Sequence, residues 1–176
     1  MNNLQPILVV VDMHTAFKPP IETIRGVIEM IQAAHANNIR IINLLWKEKR
    51  DKIPFPMIPE VEDVLKMGEY VELTKDKNDG SQSIIDHYKG NIDDKFFIFC
   101  GIRYQYCIKE TVLGMLTPNH LIMKQATDEW NKPDETPSLV SWHTKDDDGD
   151  VLREGNFQYN IDDITTDFDV LMKHWV

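Results

Sequence analysis

Three side chains suited to acid–base and nucleophilic chemistry follow apolar runs of this 176-residue sequence. Asp12 ends the run "ILVVVD", Lys75 ends "YVELTK", and Cys107 stands six residues after the run "KFFIFCG". A cysteine attacks a carbonyl group as its thiolate, and both a nearby ammonium group and a helix N-terminus favour that anion. A carboxylate can take the thiol proton and later pass it to a departing amine. We therefore expect attack on a carbonyl carbon, provided that the fold brings these side chains together.

The apolar runs have the length and composition of buried strands, and stretches with helical periodicity separate several of them. The predicted strands are Ile7–Asp12, Arg40–Trp46, Tyr70–Thr74, Lys95–Cys100 and His120–Gln125, with a sixth at Asn156–Ile161. Continuous β-branched runs are typical of strands covered on both faces, and repeated β–α–β units form three-layer domains. The sequence thus predicts an α/β/α fold with a mostly parallel, six-stranded sheet.

The carboxyl ends of the strands are where a ligand site is expected in an open sheet of this kind. Asp12 and Lys75 stand at two such ends, and the turn from Gly101 to Cys107 follows a third. Backbone N–H groups in a tight turn at a helix start can hold an oxyanion. The proline-containing segment Lys47–Pro59 is predicted to be a stiff surface loop that closes over the pocket.

Charge and cysteine content exclude several classes of function. The chain carries 19 basic and 29 acidic residues, a net charge of −10, so neither nucleic acid nor an anionic membrane is an expected partner. Two cysteines cannot build a disulfide framework, and they lack zinc-ligand spacing. The N-terminal apolar run is too short for a signal peptide or a membrane span. We expect a cytoplasmic protein with a single domain over residues 1–176, irregular from about residue 131.

Plainer alternatives exist for the individual residues. Free cysteines are commonly core residues, and this is our interpretation of Cys100. Cys107 alone would be interpreted in the same way. A catalytic role is favoured only because Asp12 and Lys75 also stand at the ends of predicted strands. Phe17 and Trp46 follow strand ends and could wall an apolar pocket or simply pack beneath the loops.

The segments "VVVDMHTAF", "ELTKDKNDGS" and "FCGIRYQYCIKETV" resemble, in this order, the motifs of the isochorismatase-like cysteine hydrolases. This superfamily includes nicotinamidases and ureido-acid and carbamoyl hydrolases, and the resemblance covers roughly residues 5–130. It implies the isochorismatase-like, Rossmann-like fold and a homo-oligomer. It also implies that Cys107 is the nucleophile, Asp12 the general acid and base, and Lys75 the group that stabilises the thiolate. The backbone amides of Cys107 and Arg103 would form the oxyanion hole, with a cis peptide bond before Arg103.

The sequence also departs from the family pattern. His14 stands where the family usually has Gln, which affects the hydrogen bonds beside the acid. Arg103 and Tyr104 replace residues that are usually small, so they could narrow the pocket or bind a substrate carboxylate. The loop after Trp46 lacks the Asp-x-His metal ligands of nicotinamidases. We therefore expect no metal and no cofactor.

The resulting hypothesis is a metal-independent hydrolase that cleaves the C–N bond of a small amide or ureido substrate through a cysteine thioester. Members that hydrolyse isochorismate often lack the cysteine, so Cys107 favours C–N cleavage over vinyl-ether hydrolysis, which stays an alternative. The other alternative is a non-catalytic binding or oligomerisation module with the same fold, because fold does not fix function. Only a small molecule and further copies of the chain are expected as partners.

Overall fold

A parallel sheet of five strands forms the centre of the computed structural model, which describes residues 4–47, 55–117, 119–128, 139–145 and 151–158. The strand order is β3-β2-β1-β4-β5. These strands are β1 Gln5–Val11, β2 Arg40–Trp46, β3 Val71–Lys75, β4 Lys95–Gly101 and β5 His120–Thr127. The helices are α1 Ile21–Ala36, α2 Pro59–Leu65, α3 Ser81–His87 and α4 Lys109–Gly114. Among these residues, no helix has the length and apolarity needed to span a membrane.

The central strand β1 is buried on both faces, which explains its unbroken apolar sequence. Its alternate residues belong to two separate apolar clusters. Leu8 and Val10 pack on one side with residues of α1 and α2. Ile7, Val9 and Val11 pack on the other side with residues of α3 and α4. The predicted three-layer α/β/α architecture is confirmed.

The last two described strands form a hairpin of their own. β6 (Leu139–Lys145) and β7 (Val151–Gln158) pair antiparallel as a two-stranded sheet. The predicted sixth strand, Asn156–Ile161, overlaps β7 in its described part, so it belongs to the hairpin and not to the parallel sheet. The chain beyond residue 131, which was expected to be irregular apart from one strand, therefore contains two paired strands.

Two helices differ from the sequence-based expectation. The helical spacing of the apolar residues from Ile21 to Ala34 predicts that Ile21 lies on the buried face of α1. Ile21 is instead 53% exposed, and the buried residues of α1 include Val27 and Met30. Helix α2 was not predicted, because three nearby prolines indicated an irregular loop. Pro59 occupies the first turn of α2, where a missing N–H costs no hydrogen bond.

The topology places one crevice at the centre of the sheet. From β1 the chain continues through β2 and β3 on one side, while β4 and β5 lie on the other. The order therefore reverses between β1 and β4, where open α/β sheets bind ligands. Gly101 ends β4 with φ +110°, and a Cβ there would clash with the carbonyl oxygen of Val11. Only glycine permits this close approach of the two strand ends.

Candidate active site

Asp12 follows the last residue of β1 and is fully buried. Its φ of +50° lies in the left-handed region, which Asp tolerates better than most residues. The Asp12 N–H donates to the carbonyl of Leu44 in β2 (2.9 Å), and the Asp12 carbonyl accepts from the N–H of His14 (2.7 Å). The main chain thus fixes the carboxylate at the edge of the crevice.

The carboxylate of Asp12 forms a buried ion pair with Lys75. Lys75 Nζ lies 2.7 Å from Asp12 Oδ2, and each side chain is 1% exposed. The contact is a charge pair without good hydrogen-bond alignment, and no described residue donates a hydrogen bond to Asp12 Oδ1. Lys75 Nζ also donates to the carbonyl of Lys77 (3.2 Å) and lies 4.6 Å from the ring centroid of Trp46. Buried charge pairs stabilise folds poorly, so such a pair at a crevice indicates a functional site.

Cys107 lies in a π-helical turn, Tyr104–Ile108, that leads into α4. Burial, and after it the Asp12 carboxylate, raise the pKa of its thiol to about 11, although the Lys75 ammonium lowers it. Because both charged groups act on the sulfur, the structure brings Asp12, Lys75 and Cys107 together. The expected thiolate is not favoured at rest, since burial and the carboxylate outweigh the ammonium. Cys107 is therefore a neutral thiol beside a carboxylate and an ammonium group.

Cys100 contrasts with Cys107. It lies within β4, is fully buried in the cluster that packs against α1, and burial alone raises the pKa of its thiol. No charged group contributes to that shift. This placement agrees with a core role.

The turn before Cys107 contains a cis peptide bond between Ile102 and Arg103, as the resemblance implies. The Arg103 carbonyl accepts from the N–H groups of Tyr106 (3.2 Å) and Ile108 (3.1 Å). The chain therefore curls back on itself between the two amides proposed for the oxyanion hole. Their role as oxyanion donors stays a prediction.

Asp128, which the sequence did not single out, clamps this turn. It follows β5, and its side chain is 1% exposed. Asp128 Oδ1 accepts from the Tyr104 N–H (3.2 Å), and Oδ2 accepts from Arg103 Nη1 (3.0 Å). Arg103 Nη2 also donates to the carbonyl of Phe17 (2.9 Å). The guanidinium thus connects the turn after β4 to the segments that follow β1 and β5. This engagement argues against the expectation that Arg103 binds a substrate carboxylate. Tyr104 itself packs in the apolar cluster on the α4 side.

His14 connects the ends of β1 and β2 to the segment before α2. The backbone N–H of Trp46 can only donate, so His14 Nε2 accepts from it (3.1 Å), and Nδ1 carries the proton that it donates to the carbonyl of Phe55 (2.9 Å). Burial lowers the pKa of His14, outweighing the nearby Asp12 carboxylate, which raises it. His14 is therefore neutral. Its ring packs edge-to-face with Phe17 and Phe55, with centroids 5.4 Å and 6.0 Å away.

The two predicted wall residues have different surroundings. Phe17 is half-buried, and its ring packs edge-to-face against the rings of His14 and Phe55. Phe55 belongs to the loop Lys47–Pro59. Trp46 ends β2 and lies against the Lys75 ammonium, so it contacts the candidate site directly. The loop Lys47–Pro59, which is predicted to close over the pocket, lies partly outside the described residues, since 48–54 are not among them.

A cavity of about 520 Å³ opens beside the end of β3 and reaches Lys75. Asp12 and Cys107 do not line it. It is lined by Lys47, Thr74, Lys75, Asp76, Lys77, Asp79, Gln82 and Ser83. In the part of the chain that the structure describes, no three His, Cys, Asp or Glu side chains are grouped as metal ligands.

Comparison with known proteins identifies the fold. The sequence matches no family model and no curated protein, but the structure resembles solved ones. An N-carbamoylsarcosine amidase from Thermoplasma acidophilum has a TM-score of 0.58 at 16% identity, over 74% of this chain and 87% of that chain. The MAR1 ribonuclease from Caenorhabditis elegans has a TM-score of 0.59 at 19% identity, over 72% and 66%.

An isochorismatase from Pseudomonas putida KT2440 has a TM-score of 0.55 at 14% identity and covers 84% of this chain and 76% of that chain. The chain therefore has the isochorismatase-like fold, as the sequence motifs indicated. At these identities the similarity concerns the fold alone.

Proposed function

We propose that the protein is a metal-independent cysteine hydrolase that cleaves the C–N bond of a small amide or ureido compound. The observation that carries the proposal is the buried Asp12–Lys75 ion pair beside the Cys107 thiol. Such a pair costs desolvation energy that a purely structural site would avoid. Here it supplies a base and a compensating cation next to a nucleophile.

The proposed reaction begins with transfer of the thiol proton to Asp12 as Sγ bonds to the substrate carbonyl carbon. Lys75 offsets the negative charge that develops on sulfur. The carbonyl oxygen becomes an oxyanion held by the amides of Cys107 and Arg103. Asp12 then gives its proton to the nitrogen, the C–N bond breaks, and the amine or ammonia leaves a thioester on Cys107.

The second half of the reaction releases the acid. Asp12 takes a proton from a water molecule, whose oxygen attacks the thioester carbon. As the C–S bond breaks, Asp12 passes this proton to the sulfur, so the thiol and the carboxylate of the starting state are restored. Asp12 serves in both halves because the proton that it accepts in one step is the proton that it donates in the next.

The site favours an enzyme over a binding module with the same fold. A module would need no buried cation beside its thiol, and Lys75 would be expected to point to solvent. It points instead at the Asp12 carboxylate. A ribonuclease, the activity in the name of one similar structure, fits poorly with a net charge of −10. A small-molecule substrate, a homo-oligomer and a cytoplasmic location stay predictions.

Ammonia release from a panel of small carboxamides and ureido compounds tests the proposal. We expect turnover by the unaltered protein and by Cys100→Ala, and loss of turnover in Cys107→Ala and Asp12→Asn. The Cys100→Ala variant is the matched control, because it removes the other thiol. Turnover that survives in Cys107→Ala would contradict the proposal, as would absence of turnover across the panel. Analysis of the products separates C–N cleavage from vinyl-ether hydrolysis.

A further inference from the structure

Asn78 lies in the loop between β3 and α3, facing the turn that carries Cys107. Thr111, one helical turn beyond Cys107, fixes this loop. Its hydroxyl lies 2.6 Å from the carbonyl oxygen of Cys107 and 3.3 Å from that of Asn78, and it accepts from the N–H of Gly80 (2.9 Å). The backbone of Asn78 is therefore held at a set distance from the nucleophile.

The orientation of the Asn78 carboxamide follows from its neighbour Glu110. A carboxylate can only accept hydrogen bonds, so Asn78 Nδ2 must be the atom that donates to Glu110 Oε1 (3.1 Å). Asn78 Oδ1 then faces Cys107 Sγ at 3.8 Å. The side chain thus presents an acceptor, and not a donor, to the reacting sulfur.

An acceptor at this place is suited to a substrate that carries N–H groups next to its carbonyl. In the free protein the S–H group of Cys107 donates to Asn78 Oδ1. Once that proton has passed to Asp12, Oδ1 needs another donor. A carboxamide or a ureido group supplies one, whereas the alkoxy oxygen of an ester supplies none and leaves Oδ1 unpaired.

We propose that Asn78 Oδ1 accepts a hydrogen bond from the N–H of the scissile group, so that the site selects carboxamide and ureido compounds over esters of the same acid. The inference rests on the proposed function and names the residue that selects its substrates. Sites that hydrogen-bond an N–H discriminate strongly against analogues that lack it.

Two alkylating reagents test this recognition without requiring turnover. Iodoacetamide carries the N–H groups and methyl iodoacetate does not, while both alkylate thiolates. The ratio of their rates at Cys107, divided by the same ratio for glutathione, measures the preference of the site, and any change in thiolate population cancels. We expect a normalised ratio of about ten in the unaltered protein and of about one in Asn78→Leu.

A second variant reverses the orientation of Asn78 without removing it. In Glu110→Lys the ammonium donates to Oδ1 and turns Nδ2 toward the sulfur, so the normalised ratio should also fall to about one. Asn119→Leu, the same change at the opposite end of the sheet, is the control and should keep the ratio of the unaltered protein. Slow labelling of the buried Cys100 shows that each variant is folded.

A normalised ratio near one in the unaltered protein, or a ratio unchanged in Asn78→Leu, overturns the inference. These outcomes differ from failure of the proposed function. A site that prefers iodoacetamide through Asn78 but releases no ammonia from any substrate would retain the recognition and refute the hydrolase. Ammonia release that depends on Cys107, without a preference for iodoacetamide, would support the hydrolase and refute the recognition by Asn78.

Discussion

Replacing Asp12 with asparagine should make Cys107 more reactive and the enzyme less active. The carboxylate raises the pKa of the thiol, and the Lys75 ammonium lowers it. Asp12→Asn removes the first influence and leaves the second uncompensated, so the thiolate becomes easier to form. The same change removes the group that accepts and returns the proton during turnover. Reactivity toward an alkylating reagent and catalytic activity should therefore change in opposite directions.

The size of the effect follows from the pKa of about 11 against an ordinary value of 9.0. At pH 8 such a thiol is ionised in about one molecule per thousand, whereas an ordinary thiol reaches about one in ten. Burial is the largest cause of the shift and persists in the variant. Asp12→Asn should therefore lower the pKa of the thiol from about 11 only part of the way toward 9.0, and raise alkylation at pH 8 about tenfold.

The assay is iodoacetamide labelling between pH 7 and pH 10, with mass spectrometry to separate the Cys107 peptide from the Cys100 peptide. In the unaltered protein the rate should rise about tenfold per pH unit without reaching a plateau, because the whole range lies below the pKa. Asp76→Asn, an exposed acid beside Lys75, is the matched control and should change the rate less than about twofold. Equal or slower labelling in Asp12→Asn would refute this account of the site.

Three further substitutions test the supporting contacts. Lys75→Met should slow Cys107 alkylation about tenfold and reduce the free energy of unfolding in urea by about 3–5 kcal/mol, because a buried carboxylate loses its partner. Asp128→Asn, which weakens the charge contact to Arg103, should lower kcat about tenfold with little change in KM, and unchanged kcat would refute the clamp. Below about pH 6.5 the unfolded chain takes up a proton on His14 that the folded protein does not, so the free energy of unfolding falls with pH. His14→Gln removes this proton uptake and should make that fall smaller. Urea midpoints at pH 7.5 and 5.5 measure this difference, and equal losses in both proteins would contradict it.

The central fold and the meeting of the three reactive groups could be predicted from the sequence because both depend on strands. An unbroken apolar run indicates a strand buried on both faces, and the carboxyl ends of parallel strands share one edge. The proximity of Asp12 and Lys75 follows directly from this rule, because each stands at the carboxyl end of a parallel strand. The second half of the chain offered weaker patterns, and the β6–β7 hairpin was only partly anticipated.

The remaining features depend on contacts that no local pattern encodes. Asp128 acts on Arg103 across 25 residues, and Asn78 faces Cys107 across 29 residues. The raised pKa of Cys107 is a consequence of burial, which the sequence around the cysteine does not report. Helix α2 was missed for a different reason: Pro59 was interpreted as a breaker although it stands where a helix can begin.

The most direct test of the central claim is to trap the covalent intermediate. The protein is mixed with the carboxamide that it turns over fastest, quenched in acid during turnover and digested for mass spectrometry. The account predicts a Cys107 peptide that is heavier by the acyl group of the substrate, accumulating while ammonia is released and absent in Asp12→Asn. Ammonia release with no acyl group on Cys107, and continued release in Cys107→Ala, would contradict it.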